Sequence, residues 1–493
     1  MSVMVKKDLI SAEKLYMVVY LWLIFSVMFL FYTKIEPLMV CDPDDWTYIS
    51  YSRSAWPQWG AYNPSKVFPE TLMGILGYFS AFVVFPITGN YQNSFTIVYA
   101  VVVCIFIILY IFSFTKYINK MFKLSLYKKI FVTSIFFAMH FLLFKTKTEY
   151  NLFMLTASNL NCFINYLVPA LFNSAFAMLC ISLNLPNHTN KLKISHIGIL
   201  LLITYLVIYS NMVVNVLFLA PIFVLFLENL YKQFTVVDSK YRQKNKAFIF
   251  YIIIFMLELI NLYYEMNGGR AQDIEFHFRT QLLETIRDIK WITGEINKSV
   301  LFCTFFVIVG AIGLWVKSRK EPQQEDNIFS RNFVGCLACF VLCILYTFCL
   351  FTRIGMHKIT CCENIFVMFL YYNILFSISL AYICKKIKCI TLAIPIITYI
   401  TFIQILTGQG HIYKGSISYY NYDSQKCYMI NECIITQFIE AYKLGMSDIN
   451  LILPKYGLGD YEFSGARIAK TLYNHRIIGT YMTVTISNDT FLE

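Results

Sequence analysis

The chain has 493 residues, of which 58% are hydrophobic and 14% charged, and its formal net charge is +12. This composition, with a mean hydropathy of +0.58, excludes an ordinary soluble globular protein. It indicates a polytopic membrane protein, because hydrocarbon about 30 Å thick is crossed by helices of roughly 20 apolar residues.

Eleven apolar runs are predicted to span the membrane. The first lacks a small-residue cleavage pattern, so we expect it to be an anchor and not a cleavable signal peptide. A further run, 71–85, is broken by Gly74, Gly77 and Pro86, and either crosses or re-enters. In chain order the eleven runs cover approximately residues 15–33, 94–115, 130–144, 163–184, 196–209, 212–229, 247–264, 299–316, 333–352, 364–384 and 389–407.

The distribution of basic residues decides between these alternatives for 71–85. If this run does not cross, the loops on the side of the N-terminus hold 22 of the 41 Lys and Arg in 76 residues, and the opposite side holds 19 in about 210. Because basic residues concentrate in cytoplasmic loops, we expect a re-entrant or interfacial segment, a cytoplasmic N-terminus and an external C-terminus. The positive charge is then a topology signal, and no nucleic-acid partner is expected.

The chain is predicted to form a transmembrane domain, 1–407, and a small external α/β domain, 408–493. The first domain carries a long external loop, 34–93, and an amphipathic helix over 271–296 that is expected to lie along the membrane surface. The apolar residues of that helix recur at helical spacing, at Ile274, Phe278, Leu282 and Ile286. The tail alternates helical and strand-like patterns over 431–446, 449–454, 464–478 and 479–486.

Most of the 15 cysteines lie in predicted spans, where thiols act as small hydrophobic side chains. Cys336 and Cys339 form a C-x-x-C pattern without a second pair, so no metal site is predicted there. Cys427 and Cys433 lie outside the spans, and we expect them to pair in a C-terminal disulfide.

Two ionisable residues fall within predicted spans. Glu258 is either a proton-coupling site or a bundle-facing carboxyl group paired with a neighbour such as Asn261, and we favour the second interpretation because proton-driven transporters use several such groups. His140 stands alone on an apolar helix, and we interpret it as an interior histidine with its hydrogen bonds satisfied.

The loop after the first span concentrates acids and aromatic residues in the string KIEPLMVCDPDDWTYISYSRSAWPQWGAYNPSKVFPETLMGIL. Aromatic rings beside carboxylates suit sugars, because ring faces stack on C–H surfaces while carboxylates accept hydrogen bonds from hydroxyl groups. The alternative is structural: Asp42-Pro43-Asp44-Asp45 forms a solvated turn that caps a helix beginning near Trp46.

The part DDWTYISYSR…WPQWGAYNPSKVFPETLM, within residues 44–92, resembles bacterial and phage serotype-converting O-antigen glucosyltransferases. The layout of the rest, with an acidic pair after the first span, a surface helix and an external C-terminal domain, is similar to the GT-C class of lipid-donor glycosyltransferases. The resemblance implies transfer of a hexose, expected to be glucose, from a polyprenyl-phosphate donor to a hydroxyl of a lipid-linked O-antigen repeat. It implies a multi-pass inner-membrane protein acting on the periplasmic side, with membrane lipids around it.

The resemblance also assigns roles to residues. Asp44 is the expected general base for an inverting transfer, with Asp45 orienting the acceptor or the loop. The cations expected to hold the departing phosphate are Arg53, Lys66, Arg279 and Arg353. The residues expected to bind sugar are Trp46, Tyr48, Trp56, Trp59, Glu70 and His277, with His357, Arg467 and Arg476 as further candidates for the acceptor.

No ligand cluster in the sequence requires a metal or another cofactor. Two other functions remain open. A transporter or flippase for lipid-linked sugars would need polar residues along a route through the bundle, whereas another O-antigen enzyme, a polymerase or ligase, would place its functional residues in a large late periplasmic loop.

Overall fold

The computed structural model describes residues 2–51, 64–145, 152–185, 194–235, 246–267, 276–321, 323–355, 358–387, 424–452 and 458–487. Within these ranges nine helices are long and apolar enough to cross a membrane, so the chain forms an all-α polytopic membrane protein. They cover Ala12–Ile35, Val67–Thr88, Tyr91–Phe122, Leu160–Leu183, Met212–Phe234, Phe248–Met266, Lys298–Ser318, Gln324–Ile354 and Glu363–Lys386.

Fifteen helices precede residue 388 in the described part of the chain. They are α1 Ser2–Leu30, α2 Pro43–Tyr48, α3 Val67–Phe79, α4 Phe85–Thr88, α5 Tyr91–Phe122, α6 Leu126–Leu142, α7 Leu160–Cys162, α8 Val168–Leu183, α9 Ile194–Ile208, α10 Met212–Thr235, α11 Lys246–Met266, α12 Phe278–Glu295, α13 Lys298–Ser318, α14 Gln324–Ile354 and α15 Cys362–Lys386. Short π-helical turns at Phe31–Ile35, Ser80–Val84 and Phe163–Leu167 extend α1, join α3 to α4 and lead into α8.

Ten of the predicted spans coincide with described helices, because long apolar runs in lipid must satisfy their backbone hydrogen bonds internally. The eleventh, 389–407, lies outside the described residues. The matching helices are α1, α5, α6, α7 with α8, α9, α10, α11, α13, α14 and α15. Of these, α15 is the most enclosed by protein and α13 the most exposed.

Described residues on either side of α3 and α4 in the sequence meet at one face of the bundle. The buried His475 imidazole contacts both of these flanking residues. Its Nε2 lies 3.2 Å from the carbonyl oxygen of Ile49, which precedes α3, and its Nδ1 lies 2.6 Å from the hydroxyl of Tyr91, which follows α4. The foot of α3 lies deeper, where Phe68 contacts Phe106 at 6.0 Å between ring centroids. Phe106 is about 22 Å along α5 from Tyr91, so α3 and α4 run from this depth back to that face. Residues 52–63, which lead to the foot of α3, lie outside the described residues, and the re-entrant path stays a prediction.

We call the end of the bundle that carries α2 the α2 face. The surface helix α12 lies there, since residues 144 and 296 form an antiparallel bridge where α6 and α12 end. Its buried residues are mostly polar, and Phe278 and Ile286 of the predicted apolar stripe are 58% and 49% exposed. Leu282 is half-buried, and Ile274 lies outside the described residues. Two members of the predicted stripe are therefore exposed, and exposed apolar residues suit a helix that rests on lipid.

The described tail forms a small unit of two helices and two parallel strands, in the order predicted. Strands β1 Asp448–Ile452 and β2 Thr483–Ser487 pair in parallel, and helix α17 Leu458–Asn474 connects them. A Cβ atom added at Gly465 would lie 2.9 Å from Val484, so α17 packs closely on the sheet. The helices are α16 Ser424–Lys443 and α17 Leu458–Asn474, and the predicted beginning of this domain, 408–423, lies outside the described residues.

The expected pairing of Cys427 with Cys433 is wrong. Cys427 on α16 instead forms a disulfide with Cys41, 386 residues away, with a Cα–Cα distance of 6.1 Å, and Cys433 is a free thiol. The two cysteines meet although they are far apart in sequence, because their segments lie side by side. Asn431 Nδ2 donates to the carbonyl oxygen of Val40 (2.6 Å) and holds these segments together. The disulfide fastens the tail to the residues just before α2.

Candidate active site

Acidic residues cap the N-terminal end of helix α2. Asp42 is the N-cap and accepts a hydrogen bond from the backbone N–H of Asp44 (2.8 Å), and Pro43 occupies the first turn, where a missing N–H costs nothing. Asp45 completes a capping box by accepting from the backbone N–H of Asp42 (3.1 Å). Asp42 is therefore a helix cap, as the structural alternative predicted, but the helix begins at Pro43 and not near Trp46, and Asp45 is buried and not in a solvated turn.

Asp45 has a further role, because it is fully buried and holds a neighbouring segment. Its Oδ2 also accepts from the N–H of Cys41 (3.0 Å), and its Oδ1 accepts from the N–H of Asn161 (2.6 Å), beside α7. Burial, and then the nearby carboxylate of Asp42, raise the pKa of Asp45 to about 8, while the three N–H donors act in the opposite direction. A carboxyl group without access to solvent orients the loop and cannot meet an acceptor hydroxyl.

Asp44 is the accessible member of the pair. Its side chain is 54% exposed, and its Oδ1 accepts from Arg467 Nη1 at 3.0 Å. An ion pair between two half-exposed side chains contributes only about 0–1 kcal/mol to stability. The pair therefore contributes little to the stability of the fold, and Arg467, a secondary candidate from sequence, is the direct partner of Asp44.

Helix α17 presents one stripe of polar residues to α2. Arg467, Thr471 and His475 recur every four residues, so they share one side of the helix. The Thr471 hydroxyl donates to the carbonyl oxygen of Trp46 and lies 2.9 Å from the Ser50 hydroxyl. Because α17 follows α2 along its length, the carboxylate of Asp44 lies at the seam between the first loop and the tail.

His475 is the buried end of that stripe. A carbonyl oxygen can only accept, so Nε2, which faces Ile49, must carry the proton, and Nδ1 then accepts from the Tyr91 hydroxyl. Burial lowers the pKa of His475 to about 4. The imidazole is thus neutral near pH 7 and joins α2, α5 and α17 without a buried charge.

The aromatic residues predicted to bind sugar differ in their exposure. Trp46 is 1% exposed, packed under α2, so its ring presents no face to a ligand and the predicted stacking role is not compatible with the structure. Tyr48 is half-buried and contacts Tyr51 edge to face, with 6.4 Å between ring centroids; Tyr51 is half-exposed. These two tyrosines, and not Trp46, form the aromatic surface of α2.

The predicted phosphate-binding cations are spread over the α2 face and the re-entrant segment. Lys66 is the N-cap of α3 in a left-handed conformation, at the foot of that segment, with its Nζ 5.4 Å from the centre of the Tyr166 ring. Arg353, in the last turn of α14, stacks over Phe276 at 4.9 Å, and Arg279 is exposed on the first turn of α12. Lys66 is therefore separated along the bundle from the two arginines.

The remaining candidates fall into two groups. Glu70 lies in the first turn of α3, His277 is the exposed N-cap of α12, and Arg476 stacks over Phe82 at 6.0 Å. The others lie outside the described residues: Arg53, Trp56, Trp59 and His357.

A second buried carboxylate, Glu363, was not singled out from the sequence. It opens α15, is 4% exposed and accepts from the N–H (3.3 Å) and the hydroxyl (3.0 Å) of Ser158. Asp45 and Glu363 thus hold residues 158–161 from two sides. The signal in the sequence was an acid placed directly before an apolar run, at the start of a helix, where a carboxylate is favoured.

Glu258 lies in a cluster of amide groups inside the bundle. Its Oε2 accepts from Asn215 (3.1 Å) and Asn261 (3.4 Å), and Asn261 in turn accepts from Ser65 (3.0 Å) beside the foot of α3. The expected pairing with Asn261 is confirmed. His140 also has partners, the Tyr110 hydroxyl at Nε2 (2.9 Å) and the Phe136 carbonyl at Nδ1 (2.9 Å), as expected of an interior histidine.

Within the described ranges, no group of three or more His, Cys, Asp or Glu residues is placed to hold a metal ion. Cys336 and Cys339 are both buried free thiols on α14. Comparison of the chain with family models, curated proteins and solved structures finds no match.

Proposed function

We propose that the protein is a glycosyltransferase of the inner membrane that acts at the α2 face. It transfers a hexosyl group, expected to be glucose, from a polyprenyl-phosphate donor to a hydroxyl of a lipid-linked O-antigen repeat. The observation that carries the proposal is Asp44: an exposed carboxylate, fixed at the first turn of a short capped helix and held by Arg467. The resemblance of residues 44–92 to serotype-converting glucosyltransferases supports the same reaction.

In this reaction Asp44 takes the proton from the acceptor hydroxyl as that oxygen attacks the anomeric carbon. A positioned carboxylate contributes roughly 10²–10⁴-fold to such a proton transfer. Asp45 fixes the position of Asp44 by capping α2, and its burial keeps it away from substrate. The acceptor sugar then lies over the half-exposed surface of Tyr48 and Tyr51.

The donor leaves a phosphate with additional negative charge, which needs a cation near membrane level. Lys66 is the described candidate closest to the lipid interior, because it caps the deep end of α3. The polyprenyl chain would run along the re-entrant segment, where Ile75, Phe79, Phe82 and Val83 are exposed apolar residues. Arg279 and Arg353 then serve the acceptor side of the α2 face.

The topology that goes with this function has eleven crossings, a cytoplasmic N-terminus and a periplasmic α2 face and tail. The concentration of Lys and Arg in the loops of the opposite face supports this orientation. So does the Cys41–Cys427 disulfide at the α2 face, because disulfides persist in the oxidising periplasm and are rare in the cytosol.

The experiment that tests the function compares O-antigen from cells with and without the gene. Mass spectrometry of the repeat unit should show one additional hexose when the protein is present. Identical repeat masses, or a change in chain length alone, would contradict glycosyl transfer, the latter indicating a polymerase or ligase.

A second candidate, a transporter of lipid-linked sugars, is favoured by the amide cluster around Glu258. Asn215 and Asn261 donate to that carboxyl group, and Asn173 and Ser210 lie within hydrogen-bond distance of Asn215. Polar groups inside membrane bundles often mark transport routes. The two functions differ in which residue is essential. If the protein is a glycosyltransferase, Asp44→Asn abolishes sugar transfer and folded Glu258→Gln retains it. If it is a transporter, Glu258→Gln abolishes transport and Asp44→Asn retains it.

A further inference from the structure

A cavity of about 450 Å³ opens at the end of the bundle opposite the α2 face. It lies between the last turns of α5 and α10 and the first turns of α14, and Tyr117, Lys120 and Met121 line its α5 side. Because α5 is 32 residues long, about 48 Å at 1.5 Å per residue, this cavity is remote from Asp44. Its volume is typical of small-molecule sites, which range over about 300–1,000 Å³.

The cavity is divided into an apolar floor and a basic mouth. The floor is formed by side chains such as Met178, Val224 and Ile374, with Gly335 between them. The mouth carries three cations, Lys120, Lys232 and Arg331, and one acid, Glu228. An uncharged nutrient would not need this excess of positive charge, and a free ion would not need the apolar floor.

Glu228 arranges two of the three cations. It accepts from Lys232 Nζ at 2.7 Å and from Arg331 Nη2 at 2.6 Å, so both side chains are held at the mouth before any ligand arrives. Lys120 has no ion-pair or hydrogen-bond partner within the described part of the chain. The mouth therefore keeps a net charge of about +2 that faces the leaflet on that side.

We propose that this cavity binds an anionic phospholipid, with the phosphate between Lys120 and Arg331 and an acyl chain on the apolar floor. Arginine offers two parallel N–H donors to phosphate oxygens, and lysine supplies a compact charge. Basic pockets between transmembrane helices on the cytoplasmic side are suited to anionic lipid head groups. The site is independent of sugar transfer and holds a structural or regulatory lipid.

The test is native mass spectrometry of the purified full-length protein after removal of lipid. Phosphatidylglycerol, phosphatidylethanolamine and glycerol 3-phosphate are added back separately. We expect phosphatidylglycerol to bind about tenfold more tightly than phosphatidylethanolamine, and glycerol 3-phosphate to bind weakly because it lacks acyl chains. Glycerol 3-phosphate binding as tightly as the lipid would contradict the lipid assignment.

Two variants localise the site. Lys120→Gln with Arg331→Gln should weaken phosphatidylglycerol binding about tenfold or more, and Glu228 keeps Lys232 as a partner. The matched control, Lys116→Gln with Arg319→Gln, removes two exposed cations that stack on Phe112 and Trp315 outside the cavity, and should bind within about twofold of wild type. Equal loss in both double variants would overturn the proposal.

Gly335→Leu tests the floor without changing charge. A Cβ atom at this position would lie 3.8 Å from Val224, which also lines the cavity, so a leucine side chain there reduces the space above the floor. We expect the same loss of phosphatidylglycerol binding with an unchanged melting temperature. Unchanged lipid binding in a folded Gly335→Leu variant would place the lipid elsewhere.

Discussion

At the scale of single residues, the two adjacent acids of α2 have separate environments. Asp44 is exposed and meets a cation from the tail, whereas Asp45 is enclosed and accepts three backbone hydrogen bonds. A carboxylate is a useful base only where a hydroxyl can reach it. Asp44 is therefore open to a hydroxyl group, as the proposed transfer requires, whereas Asp45 has a structural role.

The Asp45→Asn variant should destabilise the protein. An asparagine side chain keeps one acceptor oxygen but turns an N–H₂ group toward backbone N–H donors, which leaves a buried donor unsatisfied at about 1–3 kcal/mol. We expect a lower melting temperature of the detergent-purified protein, measured by differential scanning fluorimetry. Asp44→Asn is the matched control and should melt like wild type; equal melting of all three proteins would refute the structural role of Asp45.

His475 predicts a pH dependence of stability. Its pKa is lowered from 6.5 to about 4 in the folded protein, so the folded state binds fewer protons than the unfolded state between these values. Its contribution to stability is therefore complete above pH 6.5 and is lost as pH falls toward 4, by up to about 3 kcal/mol. The difference in melting temperature between wild type and His475→Gln should shrink over this window, and a constant difference would contradict the burial of a neutral imidazole.

At the scale of elements, the contact between α2 and α3 sets the position of α3. The backbone of Gly77 lies so close to α2 that an added Cβ atom would fall 1.8 Å from the carbonyl oxygen of Ile49. Tyr78 reinforces the contact by donating to the carbonyl oxygen of Ser50 (2.9 Å). Glycine is required here for its size, because only a residue without a side chain allows the two backbones to meet.

Gly77→Ala should separate α3 from α2 and destabilise the protein by about 2 kcal/mol or more, since a backbone cannot yield as a side chain can. Gly198→Ala in α9 is the control, because a Cβ atom there meets nothing within 4 Å, and alanine is the better helix former. Melting temperatures of the two variants measure the contrast. If Gly77→Ala were as stable as Gly198→Ala, the close approach of α2 and α3 would be incorrect.

Periodicity and hydropathy were sufficient to predict most elements of this protein. Apolar runs located ten helices, and alternation located both strands of the tail, because these patterns depend on neighbours a few residues apart. The contacts that build the site were not predictable in the same way. Asp44 meets Arg467 and Cys41 meets Cys427 across about 400 residues, and no local pattern encodes a partner at that distance.

At the scale of the whole molecule, the tail is fastened to the first loop at several points. Helix α16 holds residues before α2 through the Cys41–Cys427 disulfide, and it holds the start of α5, where Gln92 Nε2 donates to Glu432 Oε1 (2.8 Å). Helix α17 holds α2 itself. The candidate site therefore depends on contacts with the tail, which is distant from the first loop in sequence but packs against it in the structure.

The disulfide predicts a specific mobility difference on gels. Oxidised wild-type protein and Cys433→Ser should migrate faster without reductant than with it, because the bond closes a loop of nearly the whole chain. Cys41→Ser and Cys427→Ser should lack this shift. A shift that disappears in Cys433→Ser and persists in Cys41→Ser would show the pairing within the tail instead.

The most direct test of the central claim is the rate of sugar transfer by Asp44→Asn. Purified wild type, Asp44→Asn and Asp45→Asn are incubated with radiolabelled polyprenyl-phosphate-glucose and a lipid-linked O-antigen acceptor, at a temperature where each remains folded. We expect Asp44→Asn to lose at least about 10²-fold in kcat, while folded Asp45→Asn retains measurable transfer. Wild-type turnover by Asp44→Asn would contradict the assignment of the base and with it the proposed site.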